Sequence, residues 1–116
     1  MRLELSRFVE GDLEAIADFI VEESPERTVT FVRRIWRAIL RIGEQPFLYQ
    51  LRPEIGEGAR LAVVGRYLIL FRANSDRVRI ERVVYGGRDL PQLFPDAEAA
   101  PSKATPGAST GRNPAD

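Results

Sequence analysis

The sequence predicts an α+β fold with the element order β-α-α-β-β-β, in which a small antiparallel sheet packs against an N-terminal helical hairpin. Three observations predict it. The first residues alternate between apolar and polar side chains, residues 13–42 repeat their apolar side chains at helical spacing, and residues 61–85 return to alternation in three runs. A chain of 116 residues is long enough for one buried core and too short for two.

The N-terminal part contains one strand and two helices. Residues 2–8 alternate as a half-buried strand does. The apolar side chains of the first helix share one face at the spacing i, i+3, i+4, i+7: Leu13, Ile16, Ala17 and Ile20. Its acids, including Asp12, are expected on the solvated face. Ser24 and Pro25 supply an N-cap and a first residue for a second helix that continues to about Gly43, and because almost no loop separates the helices, we expect an antiparallel hairpin.

The C-terminal part contains three strands. Pro46 ends the second helix, and residues 47–58 form a loop rich in Pro and Gly. Three runs rich in β-branched and aromatic residues follow at 61–64, 67–71 and 78–85. The short segments between them are typical of hairpin turns, so the three runs are expected to pair in chain order.

Arg82 is a charged residue within an apolar part of the third run. Alternation places it on the same strand face as Val78, Ile80 and Val84. A buried guanidinium needs a carboxylate or phosphate partner. That partner is either an acid inside the domain or a group on another molecule, and the sequence leaves both interpretations open.

The last 21 residues have a different composition. From Asp96 to Asp116 there is no Val, Ile, Leu, Met or aromatic residue, and Ala and Pro are frequent. Such a segment cannot bury enough apolar surface to offset the entropy of ordering. We therefore expect a domain at residues 1–95 and a disordered, low-complexity tail at residues 96–116.

The formal net charge of zero hides two oppositely charged parts. Residues 1–30 contain three Arg and eight acids, whereas residues 31–95 contain twelve Arg and six acids. All but one of the 17 basic residues are Arg, whose planar guanidinium binds carboxylate and phosphate bidentately. The basic part therefore favours an acidic partner.

Composition also excludes several classes of chemistry. Without Cys and His, the chain has no disulfide, no Cys or His zinc site, no thiol nucleophile and no imidazole-based triad. It has no recognisable phosphate-binding loop, so we expect no nucleotide cofactor. Its helical acids are expected on a solvated face, so we expect no other cofactor and no metal. No apolar run approaches the ~18 residues of a membrane span, and the start lacks the apolar core of a signal peptide, so we expect a cytoplasmic protein without a membrane partner.

A series of short motifs runs through residues 1–95. In chain order they are Asp12-Leu13 with Ile16, Pro25, Pro46, Gly58-Ala59-Arg60, Gly65-Arg66-Tyr67-Leu68-Ile69 and Val83-Val84-Tyr85-Gly86-Gly87-Arg88-Asp89. In this order and spacing they resemble the RelE/ParE superfamily of small bacterial toxins from toxin-antitoxin pairs. The last motif is similar to the closing motif of the ParE branch, in which His commonly stands in place of Tyr85.

The resemblance to the ParE branch implies the toxin of a bacterial type II toxin-antitoxin system, which inhibits DNA gyrase by binding it. RelE-like members instead cleave messenger RNA on the ribosome, and this is the alternative function. The chain would then be a metal-independent endoribonuclease with Arg60, Arg88 and Tyr85 as catalytic residues. Leu68 and Phe94 stand where that branch has Arg and Tyr, and its lysines are missing. A binding inhibitor is therefore favoured over an enzyme.

Both functions imply a hetero-oligomer with a cognate ParD-like antitoxin, whose acidic segment lies across the helical hairpin and the sheet. The residues expected to bind the antitoxin combine positive charge with one large aromatic side chain: Arg60, Arg66, Arg82, Arg88 and Trp36. The residues expected to contact the target lie at and after the end of the last strand: Tyr85, Arg88, Leu93 and Phe94.

Overall fold

Two helices lie on one face of a five-stranded sheet in the computed structural model, which describes residues 2–96 and 102–104. In chain order the elements are β1 (Arg2–Ser6), α1 (Val9–Glu23), α2 (Pro25–Glu44), a 3-10 turn (Pro46–Leu48), β2 (Arg60–Val64), β3 (Tyr67–Ala73), β4 (Arg77–Tyr85), α3 (Leu90–Leu93) and β5 (Ser102–Ala104). The strands lie in the order β2-β3-β4-β1-β5. The predicted α+β fold, with a helical hairpin between the first strand and the other strands of the sheet, is confirmed.

The sheet differs from the prediction in the direction of one pair. β2, β3 and β4 pair antiparallel as expected, whereas β1 lies parallel to β4. The direction of β1 relative to β4 depends on the end of the sheet at which β2 begins. The loop after α2 determines that end. Local periodicity contains no information about that end, so the sequence could predict the strand but not its orientation.

A β-bulge at Glu81 interrupts β4. Two consecutive residues of β3 pair with Arg82 and Ile80, so Glu81 has no partner in that ladder. The side-chain alternation shifts by one residue at this point. Val83 joins Ile80 in the core beneath the helices, and Val84 packs on the opposite face. The expectation that Arg82, Ile80 and Val84 share one face is therefore wrong.

The main core lies between the hairpin and the sheet. Ile35, Ile39 and Ile42 of α2 are fully buried, and full burial of such a side chain contributes about 1.5–3 kcal/mol. A smaller core covers the other face of the sheet, where the loop before β2 and α3 pack over it. Phe94 lies in this second core and packs closely on Gly56. A Cβ at Gly56 would overlap the Phe94 ring, so only glycine fits there.

Asp12 joins α1 to β4 just beyond the end of β1. Its Oδ2 accepts hydrogen bonds from Arg82 Nε at 2.8 Å and from the Val83 backbone N–H at 2.9 Å, and its Oδ1 accepts one from Arg82 Nη2 at 2.7 Å. The side chains of Arg82 and Asp12 are only 18% and 11% exposed. The prediction that Asp12 lies on the solvated face is thus wrong, and the internal partner of Arg82 is this acid. We call Asp12, Arg82 and Val83 the clasp.

Ser6 supplies a second contact at the same edge. Its hydroxyl donates to the Glu81 carbonyl at 2.6 Å and accepts from the Phe8 backbone N–H at 3.2 Å. Because β1 ends at Ser6, β4 continues beyond it without a parallel strand beside it. The backbone groups on that edge of β4 then need other partners, since a buried unpaired polar group costs about 1–3 kcal/mol. Side chains of Ser6 and Asp12 provide the hydrogen bonds that a longer β1 would have made.

The segment after the domain is described only in part. Ser102–Ala104 pairs antiparallel with β1 as strand β5. Apart from Asp96 and β5, the predicted tail at residues 96–116 lies outside the described residues, and its disorder stays a prediction. Among residues 2–96 and 102–104, no helix has the length and apolar character needed to cross a membrane.

Replacing Asp12 with Ala should lower the free energy of unfolding by about 3 kcal/mol, because the change leaves the guanidinium of Arg82 and the N–H of Val83 without their acceptor. Denaturant unfolding of the full chain measures this. Asp18→Ala on the exposed face of the same helix is the control and should change the free energy by at most about 0.5 kcal/mol. Equal effects of the two substitutions would contradict the structural role of the clasp.

Candidate functional site

Tyrosine and arginine side chains are concentrated where the β2–β3 turn meets the end of β4. Tyr67 and Tyr85 are register partners, and their rings meet edge to face with centroids 5.9 Å apart. The Gly86 N–H donates to the Arg66 carbonyl at 2.9 Å, and the Arg88 N–H donates to the Tyr85 carbonyl at 3.2 Å. Arg66, Tyr85 and Arg88 are exposed. We call Arg66, Tyr67, Tyr85 and Arg88 the tyrosine end.

Two glycines allow this arrangement. Gly65 adopts a φ of +61° in the turn before β3, a conformation that L side chains rarely adopt. A Cβ at Gly87 would lie 2.9 Å from the Tyr85 ring, so a side chain there would displace the ring. Burial raises the pKa of the Tyr67 hydroxyl, and the nearby Tyr85 adds to the shift. The Tyr67 hydroxyl is therefore uncharged at neutral pH.

The residues predicted for a nuclease do not all meet at this end. Tyr85 and Arg88 are adjacent, but Arg60 pairs with Phe71, four residues along β3 from Tyr67, which corresponds to roughly 13 Å at the usual rise of a strand. Arg60 instead donates to the Tyr49 carbonyl. The structure thus brings together two of the three residues.

The other predicted residues divide between the surface and the interior. Trp36 is 38% exposed on α2. Phe94 is only 7% exposed, within the second core, and Leu93 is half-buried. The Leu93 carbonyl accepts a hydrogen bond from Arg82 Nη1 at 3.3 Å, and the hydrogen bonds that Arg82 donates to Asp12 raise the pKa of the Arg82 guanidinium. Arg82 therefore uses its donors within the domain.

A groove of about 400 Å³ lies where α1, α2 and β1 meet. We call it the hairpin groove, and its lining is mostly apolar: Leu5, Ser6, Val9, Glu10, Leu13, Glu14, Ala17, Val32 and Trp36. On α2, Arg33 and Arg37 are exposed on either side of Trp36 in the sequence. Arg33 and Arg37 each follow a lining residue of α2, whereas the charged side chains that line the groove itself are Glu10 and Glu14.

A polar cavity of about 550 Å³ lies on the other face of the sheet. The fully buried Glu81 accepts a hydrogen bond from Arg72 at 2.8 Å and lies 3.4 Å from Arg79 Nε. Burial raises the pKa of Glu81, while Arg79 and Arg72 oppose that rise. Arg72 also stacks on the Phe94 ring at 4.1 Å and donates to the Pro95 carbonyl at 2.7 Å. This network holds the end of the domain against the sheet.

Acidic side chains do not gather in a metal-binding arrangement in the part of the chain that the structure describes. At the tyrosine end, the exposed polar side chains are Arg66, Tyr85 and Arg88. Such groups recognise carboxylates and phosphates and stabilise charge.

Residues 3–90 match the model of the family described as the ParE toxin of the type II toxin-antitoxin system parDE. The chain belongs to the ParE toxin family. A chain from the solved structure "Chromosomal ParDE TA system from P. aeruginosa" resembles this ParE-family chain with a TM-score of 0.64 and 24% identity, over 73% of this chain and 95% of that one. That likeness supports the fold alone. No curated protein sequence matches significantly. The resemblance to the ParE branch of the superfamily is thus confirmed.

The role of Asp12 in this ParE-family chain was not predictable from the sequence. The available signal was Arg82, which required a carboxylate partner somewhere. Eight acids precede residue 31, and their positions along the helix do not show which one reaches β4. Phe19 and Phe31 were not predicted as site residues either. They border the tyrosine end because the tip of the helical hairpin lies beside it.

The buried Glu81 gives this ParE-family fold a testable pH dependence. Because its pKa is raised in the folded chain, that chain binds the proton more readily between the unfolded and folded pKa values. The stability of the natural chain relative to Glu81→Gln should therefore be greatest below the unfolded pKa and fall as the pH rises through the folded pKa. Denaturant unfolding of both proteins from about pH 4 to about pH 8 measures the difference. A difference that increases with pH would show that the arginines outweigh burial.

Proposed function

We propose that this chain is the toxin of a type II toxin-antitoxin pair, that it inhibits DNA gyrase by binding it, and that a cognate ParD-like antitoxin neutralises it in the cytoplasm. Membership of the ParE family supports the toxin assignment. The observation that carries the proposal is the tyrosine end, which exposes Arg66, Tyr85 and Arg88 together where the β2–β3 turn is hydrogen-bonded to the chain just after β4. Rigid aromatic and arginine side chains are typical of the residues that dominate binding energy.

Binding is favoured over catalysis by the geometry of the same residues. A nuclease would have to stabilise the charge on a scissile phosphate with groups that converge on it. Arg60 lies far along the sheet from Tyr85 and Arg88, so the three residues do not converge on one phosphate. An inhibitor needs only a complementary surface, and the tyrosine end meets that requirement.

Within the proposed target surface, the residues have different roles. Tyr85 is 46% exposed and Arg88 is exposed beside it, so these two are the proposed contacts. Leu93 contributes a half-buried edge. Phe94 is buried in the second core and stacks on Arg72, five residues along β3 from Tyr67, so it lies away from the exposed contacts at the tyrosine end.

For the antitoxin, we propose an amphipathic acidic segment in the hairpin groove. Its apolar side chains would pack beside Trp36, and its carboxylates would face Arg33 and Arg37 on α2. Arg66 and Arg88 would extend the charge recognition to the tyrosine end, and Arg60 would do so at the opposite end of β2. Arg82 acts from inside, by holding α1 in position.

Purified protein should inhibit supercoiling by gyrase and increase the amount of cleaved DNA, and it should leave messenger RNA intact on ribosomes. The two assays are run side by side with the same preparation. Messenger RNA cleavage with normal supercoiling would instead identify the RelE-like activity, and it would overturn the proposed target.

The double substitution Tyr85→Ala and Arg88→Ala should reduce gyrase inhibition by at least about 30-fold, since the loss of even one hot-spot residue costs about 2 kcal/mol. The double substitution Phe47→Ala and Arg52→Ala is the matched control. It removes one exposed aromatic ring and one partly exposed guanidinium from the segment before β2, and it should leave inhibition unchanged. Inhibition that survives the first pair in a folded protein would place the target site elsewhere.

Trp36→Ala should weaken the complex with the proposed cognate antitoxin by about 30-fold, because it removes the large aromatic side chain that lines the hairpin groove. Calorimetry of the purified pair measures the affinity. Arg33→Ala with Arg37→Ala should weaken the complex more at low salt than at high salt. Leu48→Ala serves as the control, because it removes an exposed apolar side chain that does not line the hairpin groove. An affinity unaffected by Trp36→Ala would contradict the proposed groove.

A further inference from the structure

A groove of about 760 Å³ lies beside the tyrosine end, between the tip of the helical hairpin and the β2–β3 turn. We call it the tip groove. Besides Tyr67 and Tyr85, its main lining residues are Phe19, Ile20, Arg27, Phe31, Arg34 and Arg66. None of its lining residues lines the hairpin groove, so the two are separate surfaces.

The floor of the tip groove is a row of aromatic rings. Phe31 and Tyr67 have ring centroids 5.4 Å apart, and Tyr67 and Tyr85 follow at 5.9 Å. Phe19 forms one wall and is 62% exposed. A large aromatic side chain that is exposed in a concave apolar surface is typical of an interaction site.

The rim of the groove is positively charged. Arg27, Arg34 and Arg66 line it, and Glu23 is the acid among its lining residues. The ion pair between Arg27 and Glu23 spans 3.9 Å between exposed side chains, so it is weak and leaves Arg27 available. Arg34 stacks on Phe31, with its guanidinium carbon 5.4 Å from the ring centroid. This surplus of charge complements an acidic partner.

We propose that the tip groove is the docking site for a segment of the target protein in which one aromatic side chain is flanked by acidic residues. The aromatic side chain enters between Phe19 and Tyr85, and the flanking carboxylates meet Arg34 and Arg66. The proposal rests on the proposed function in one respect, namely that the chain acts by binding a protein target. It adds the chemistry of the segment that is bound.

The geometry favours a protein segment over a single-stranded nucleic acid. Bases stack on flat aromatic faces that follow one another along a strand. Here the interplanar angles are 56° between Phe31 and Tyr67 and 73° between Tyr67 and Tyr85, so neighbouring rings present edges to one another. The concave floor, which includes the buried Ile20, suits one bulky side chain.

The test uses the full, isotope-labelled chain and two synthetic peptides, Asp-Glu-Trp-Glu-Asp and Asp-Glu-Ala-Glu-Asp, followed by changes in amide resonances. The tryptophan peptide should shift the Gly65, Arg66 and Ile20 amides in a saturable manner and bind about tenfold more tightly than the alanine peptide. Phe19→Ser and Arg34→Glu should each weaken it about fivefold or more. Both side chains are at the surface, so the variants should fold.

The matched controls are Leu40→Ser and Arg41→Glu, which remove one exposed apolar side chain and reverse one exposed charge elsewhere on α2. They should leave the peptide affinity unchanged. Equal binding of the two peptides, shifts confined to the hairpin groove, or tighter binding of an oligothymidylate at the tip groove would each overturn the proposal.

The test also separates this proposal from that of the target. Binding of the tryptophan peptide together with an inactive gyrase assay would support the groove and refute gyrase as its target. Gyrase inhibition that Phe19→Ser leaves unchanged, with no peptide binding, would refute the groove and leave gyrase inhibition standing.

Discussion

The hydrogen bonds of Asp12 to Arg82 and to the Val83 backbone are the interaction on which the rest of the structure depends. β1 ends before β4 does, and Asp12 satisfies the edge of β4 that β1 leaves uncovered. The same guanidinium binds the Leu93 carbonyl, so one side chain connects α1, the sheet and α3. Since α1 forms a wall of both grooves, the clasp determines their shape. Because Arg82 forms its hydrogen bonds within the domain, the exposed arginines are the ones available to a partner.

The fold was largely predictable because its signals are local. Pro25 and Pro46 mark the start of α2 and the turn after it, and the apolar spacing around Ile35 and Ile39 identifies the buried helix face. The parallel direction of β1 and the bulge at Glu81 were not predictable, because both depend on contacts between distant parts of the chain. One extra residue in β4 was enough to place Val83 and Val84 on faces opposite to those that alternation predicts.

The same distinction applies to the candidate site. Tyr85 and Arg88 lie in one short segment, so the sequence alone shows that they are neighbours. The hairpin turn before β3 brings Arg66 to them in a way that strand pairing predicts. Phe19 and Arg34 belong to different helices, and their meeting depends on how the hairpin lies on the sheet, which only the structure describes. Arg60 was grouped with these residues by charge, yet the length of β2 separates it from them.

We propose that this ParE-family chain acts by occupying its target rather than by catalysis. The most direct measurement is a titration of gyrase at a concentration well above the dissociation constant, with activity followed over time. If the chain acts by binding, inhibition should increase linearly with the ratio of toxin to gyrase and reach its maximum near one toxin per binding site. It should not progress with time. Complete inactivation at a small fraction of one toxin per gyrase, increasing with time, would contradict it and indicate turnover.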